Sequence, residues 1–182
     1  MNKNLDRLTA QRALDISPFI VMEILEKAQA MEARGHKVVH MEIGEPDFQT
    51  PEVVKEAAAE ALRQDLTKYT HSLGLPELRT AISQSFKREY NVDIDPKRVI
   101  VTTGTSAGVL LTFAALVNPG EEVILTDPGY PCYPKFLSLV GGKPVYIGLR
   151  EEDGWQVSIT DLASAISSKT KCVMIKSPTN PT

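Results

Sequence analysis

A chain of 182 residues that is 42% hydrophobic and 24% charged has the balance of a globular domain with a sizeable core. Its net charge of -3 gives no electrostatic case for nucleic acid or an anionic membrane surface as partner, and no apolar run reaches the ~18 residues a membrane span needs. The polar start MNKNLDRLTAQRALD lacks the apolar core of a secretory signal, and Cys132 and Cys172 have neither metal spacing nor a disulfide framework, so the expectation is a reduced, cytoplasmic protein.

Residues 1–17 read as a polar arm. Ser17-Pro18 has the form of an N-cap followed by proline at the first helical position, and Ile20, Ile24, Ala28 and Met31 follow at helical spacing until Gly35. Val38 to Ile43 is short and extended and breaks at Gly44-Glu45-Pro46-Asp47. Thr50-Pro51-Glu52 repeats the cap-then-proline device and predicts a helix to about Gln64; a second helix is predicted from Pro76 to Tyr90.

From Arg98 the rhythm changes. Strands are predicted at 99–101, 123–125, 144–147 and 172–176, with helices over 106–117, over 133–140 as far as Gly141-Gly142, and after a Thr160-Asp161 cap. Strands alternating with helices imply an α/β fold with a mainly parallel sheet and flanking helices, preceded by an N-terminal helical segment. Such sheets bind ligands beyond the carboxyl ends of their strands.

Three stretches fall at those ends. Thr102-Thr103-Gly104-Thr105-Ser106 leads from a predicted strand into a helix, so Gly104, Thr105 and Ser106 form a candidate phosphate cup: glycine admits close approach, and the helix start offers N–H groups. The stretch equally fits an ordinary strand-to-helix turn with a hydroxyl cap, and it has neither Walker spacing nor a G-x-G-x-x-G pattern. Asp127-Pro128-Gly129-Tyr130-Pro131-Cys132-Tyr133-Pro134 holds two tyrosines between prolines, where a ring could stack on a planar ligand or simply pack the loop. Asn180, in Ser177-Pro178-Thr179-Asn180-Pro181-Thr182, carries an amide that can donate or accept, or marks an Asn-Pro turn. Of the lysines, 169 and 171 read as solvated loop residues and Lys176 as structural. The histidines 36, 40 and 71 lack metal spacing, and Glu121-Glu122 reads as a solvated turn.

Six motifs occur in one order: Gly44-Glu45-Pro46-Asp47 with Thr50-Pro51; Tyr69-Thr70 with Gly74 and Glu77-Leu78-Arg79; Thr103-Gly104-Thr105-Ser106; Asn118-Pro119-Gly120-Glu121-Glu122-Val123; Pro128-Gly129-Tyr130-Pro131; and Ser177-Pro178-Thr179-Asn180-Pro181-Thr182. From about Ala13 onward this order resembles the class I/II aminotransferases, fold type I enzymes that use pyridoxal 5'-phosphate. The resemblance implies that residues 1–45 belong to a small domain and that 46–182 form the first part of a cofactor-binding large domain. Gly104, Thr105 and Ser106 then look like the phosphate cup, Tyr130 like the ring that stacks on the pyridine, and Asn180 like the contact to the cofactor's phenolic oxygen. Gly44 resembles a backbone contact near the substrate carboxylate, and Tyr69 a tyrosine that reaches the partner's cofactor phosphate in a homodimer.

The implied reaction transfers an amino group between an L-amino acid and a 2-oxo acid. In the family the Schiff-base lysine, the acid that pairs with the pyridinium and the substrate-gripping arginine all follow the Asn-Pro motif. The expectation is therefore an N-terminal portion that is inactive alone, with strand 99–101 left without a neighbour. A non-catalytic anchoring or dimerisation module, and a related carbon–sulfur lyase, remain open alternatives.

Overall fold

The computed structural model describes residues 8–182. They divide into two units, one formed by residues up to Glu23 together with Gly104–Thr182, the other by Ile24–Thr103. The first unit carries the sheet. Strand β1 (Glu122–Asp127) lies between β2 (Lys143–Gly148) and β3 (Thr170–Val173), parallel to both, in the order β2-β1-β3. Helix α5 (Thr105–Leu116) precedes β1, α6 (Cys132–Leu139) joins β1 to β2, and α7 (Ile159–Ala165) lies between β2 and β3.

Central position explains why β1 is the most apolar strand: Val123, Ile124 and Leu125 are all buried. Val123 and Leu125 join Phe113 and Val117 from the end of α5 and Leu137 from α6 in one core cluster. Gly142 lets the chain return into β2 against that core, because a Cβ there would collide with the buried Leu137 and meet Val117 Cγ1 at 3.0 Å. The peptide bonds Asp127-Pro128, Ser177-Pro178 and Asn180-Pro181 are cis.

The acidic pair after Asn118 does more than face solvent. Glu121 accepts from the Asn118 backbone N–H at 2.7 Å, which holds its carboxyl below the usual range, and Glu122 accepts from the Ser167 hydroxyl at 2.6 Å. Both fasten loops at the start of β1.

Within the arm, Gln11–Leu14 forms a short helix, α1. The next helix, α2 (Ile20–Glu32), begins after Ser17-Pro18 rather than on it. The Ser17 and Pro18 carbonyls accept instead from the Lys135 ammonium, at 2.9 and 3.0 Å. The second unit contains the rest of α2 with α3 (Glu52–Arg63) and α4 (Pro76–Tyr90). Helix α4 is bounded as its sequence predicts, with proline in its first turn and Asn91 in the left-handed conformation as its C-cap.

Two predicted strands are corrected. Residues 99–101 form no strand: Val99 N–H donates to the Pro96 carbonyl at 3.2 Å and Val101 N–H to the Leu73 carbonyl at 3.0 Å, so the segment closes a loop, with Ile100 between them exposed. Residues 38–43, read as a short extended stretch, belong to no helix or strand. The last strand ends at Val173 instead of Lys176, although Met174 N–H still donates to the Ile124 carbonyl at 2.9 Å. The sheet of the described residues thus has three strands where four were predicted.

Candidate functional site

β1 delivers the chain to Asp127, and the loop that follows turns back at Gly129. A Cβ on Gly129 would strike the Thr126 carbonyl oxygen, so the turn needs glycine to bring Tyr130 over the end of the strand. The Tyr130 ring is held edge-on by two others, Phe19 at 6.5 Å and 70° and Tyr133 at 5.2 Å and 68°. A hydrogen bond with the Cys132 side chain, and then burial, hold its phenol above the usual tyrosine range.

A cavity of about 300 Å³ opens there, at the lower end of the range for small-molecule sites. Tyr130 and Asn180 both line it, together with Thr126, Asp127, Tyr146 and Lys176. It lies where the sheet rule puts a ligand, beyond the carboxyl ends of β1 and β3. The two residues singled out after those strands therefore meet in one space.

Gly104, Thr105 and Ser106 belong to the same unit but do not line that cavity. Gly104 caps α5 with φ 83° and ψ 169°, and a Cβ there would meet only open space. The N-cap residue brings no capping side chain, the first turn holds no acidic residue, and Thr105 and Ser106 are exposed. A helix start of this kind has the donors and dipole that suit an anion. Tyr69 and Gly44 lie in the second unit, both exposed; Tyr69 is 107% exposed relative to a free reference.

The sequence reading did not assign Tyr146 or Lys176 to the site. Tyr146 projects from β2, and burial, then the Asp127 charge, raises its phenol pKa. Lys176 donates from Nζ to the Asn180 carbonyl at 2.8 Å and stands 6.0 Å from the centre of the Tyr133 ring; burial holds its ammonium below the usual lysine range. The alternation Met174, Lys176 after β3 was the available signal, since every second residue of an extended segment faces one side. Among the described residues no group of histidine, cysteine and acidic side chains could hold a metal ion, both cysteines are free, and no helix is long and apolar enough to cross a membrane.

A family model for aminotransferase class I and II matches residues 36–182. The chain is 39% identical over 174 residues to a (5-formylfuran-3-yl)methyl phosphate transaminase of Methanocaldococcus jannaschii, covering 96% of this chain and 45% of that protein. It is 39% identical over 173 residues to an aspartate aminotransferase of Bacillus subtilis, covering 95% and 44%. Among solved structures, the alanine aminotransferase from Pyrococcus furiosus superposes with a TM-score of 0.90 at 38% identity, over 96% of this chain and 45% of that one. The aspartate aminotransferase from Thermus thermophilus with maleate gives 0.91 at 36% identity, over 96% and 46%. The chain spans about 45% of the length of the relatives it matches.

Proposed function

The chain belongs to the class I and II aminotransferases, and from that membership we propose that it anchors pyridoxal 5'-phosphate at the carboxyl ends of β1 and β3. One observation carries the proposal: Tyr130 and Asn180, far apart in sequence, line one cavity. The Tyr130 ring offers a face to a pyridine, and its orientation is already set by Phe19 and Tyr133. The Asn180 amide donates to a phenolic oxygen. Gly104, Thr105 and Ser106 take the phosphate on backbone N–H groups and hydroxyls at the start of α5.

When bound, this group supplies an electron sink for chemistry at an amino-acid α-carbon. The chain's own part is to hold the ring flat, fix its phenolic edge and hold the phosphate by hydrogen bonds. For the whole protein the proposed reaction moves an amino group between an L-amino acid and a 2-oxo acid. Residues 46–182 are read as the first part of the cofactor-binding domain and residues 1–45 as part of a smaller one. Gly44 is proposed to meet the substrate carboxylate through its backbone. The full exposure of Tyr69 supports a role directed outward, to the cofactor phosphate of a second subunit in a homodimer. A cytoplasmic location belongs to the same proposal and is in keeping with the two free thiols.

The test is a spectrophotometric titration of the chain with pyridoxal 5'-phosphate, beside pyridoxal, which lacks the phosphate. Saturable binding is expected, stronger for the phosphorylated form. Asn180→Ala removes a hydrogen bond to a charged or polar acceptor and is expected to weaken it by about 1–3 kcal/mol. Binding that ignores the phosphate and is unchanged in Asn180→Ala would overturn the proposal.

A further inference from the structure

We propose that Lys176, in the segment that follows β3, is a positioning residue for Asn180, tying the loop of residues 177–180 back to that segment so that the Asn180 amide stays at the cavity. The consequence for cofactor binding rests on the reading given under Proposed function; the contact itself does not. Its geometry is local and specific. The Lys176 ammonium reaches across Ser177-Pro178-Thr179 and donates to the Asn180 backbone carbonyl at 2.8 Å. It also stands over the Tyr133 ring, 6.0 Å from its centre, so a second element fixes the charge from the side. Lysine and asparagine line the same cavity.

Among the described residues the segment after β3 has one other side-chain hydrogen bond. The Thr179 to Thr182 hydroxyl contact at 2.9 Å lies within the loop and leaves its tilt free. The tie is a charge-assisted hydrogen bond, stronger than one between neutral groups. Partial desolvation brings its deprotonation below the usual lysine range. The titratable groups around it are Tyr133 and Tyr130 beside and within the start of α6, Asp127 at the end of β1 and Tyr146 on β2. Tyr130 and Tyr146 are both shifted upward, whereas Lys176 is shifted downward. The tie then weakens at alkaline pH in a way that an arginine, which keeps its charge, would not share.

Two measurements test this. In the chain without cofactor, carbon-13 NMR should show the Asn180 carbonyl resonance following the titration of Lys176, and Lys176→Met should abolish that step. A carbonyl that ignores the lysine titration would overturn the positioning role whatever the chain binds. With pyridoxal 5'-phosphate added, Lys176→Met is expected to weaken binding by about tenfold. Lys176→Arg should restore most of it and remove the extra alkaline loss seen in the wild type. Unchanged affinity in Lys176→Met, or a folded Lys176→Arg that fails to rescue, would also sink the inference. Coupling between Lys176 and Asn180 in a chain that takes up no pyridoxal 5'-phosphate would support the contact and refute the cofactor reading instead.

Discussion

Gly104 shows how much one residue type can decide. Its φ of 83° with ψ of 169° falls in a region that only glycine enters freely. Alanine there would meet no neighbour, so the cost is conformational: Gly104→Ala is expected to lose about 1–3 kcal/mol, read as a lowered denaturant midpoint. A normal midpoint would mean that the turn relaxes. Gly142 fails by a different route. Its added methyl would press on buried Leu137 and Val117, so Gly142→Ala is expected to cost about 1–3 kcal/mol by overpacking, measured in the same melt. The residues that act after a strand were the easiest to read from sequence, because proline and glycine mark where a strand hands over to a loop. Tyr130 and Asn180 stand at such marks. Lys176 and Tyr146 do not; they sit inside extended runs, where alternation sorts side chains into two faces without saying which face borders a cavity.

At the scale of elements, legibility follows the punctuation. Helix α4 is bounded by proline and a left-handed asparagine, and its limits match the reading. The stretch Ser158-Ile159-Thr160-Asp161 offers two hydroxyls, and the reading chose the wrong one: the structure caps α7 with Ser158, which accepts from the Asp161 N–H at 3.2 Å. Ser158→Ala should therefore cost about 0.5–2 kcal/mol, and Thr160→Ala clearly less; equal effects would deny the cap. Val99 to Val101 misled for a deeper reason. An apolar triplet states that it can pair, and whether a neighbouring strand exists is decided elsewhere in the chain. In the second unit, His40 links elements by bonding Glu42 at 2.6 Å and Glu32 at 3.0 Å. The Glu42 bond, then the Glu32 bond, raises the imidazole above its ordinary 6.5, while the His40 bond lowers Glu42 below 4.5. A raised histidine contributes fully below 6.5 and loses its contribution as pH climbs through the raised value. The lowered glutamate contributes above 4.5 and loses that as pH falls through the depressed value. NMR titration should show this link between those two limits, weakened by salt, and absent in His40→Gln.

For the whole molecule, the open question in the first unit is how a three-stranded parallel sheet protects its edges. The two edges are unequal. β2 carries Pro144, which cannot donate to a further strand, and Lys143. β3 carries Lys171 as its only charge, then Val173 at 39% exposure and Ile175, just beyond it, at 65%. Charge on an edge strand resists pairing with another chain, while exposed β-branched residues invite it. The β3 side is therefore the expected route of self-association. Since Val173 is not part of the core cluster, Val173→Lys should leave the melting transition nearly in place and reduce the concentration-dependent mass seen by light scattering. Lys171→Val should act the other way. Pro144→Val, on the opposite edge, is the control that separates the two sides, and it should shift association less than Lys171→Val does. If Val173→Lys and Lys171→Val leave the mass unchanged over the range where the wild type associates, pairing does not run through β3. Self-association would then have to be sought among the other exposed apolar side chains, such as Tyr69 and Val53 in the second unit.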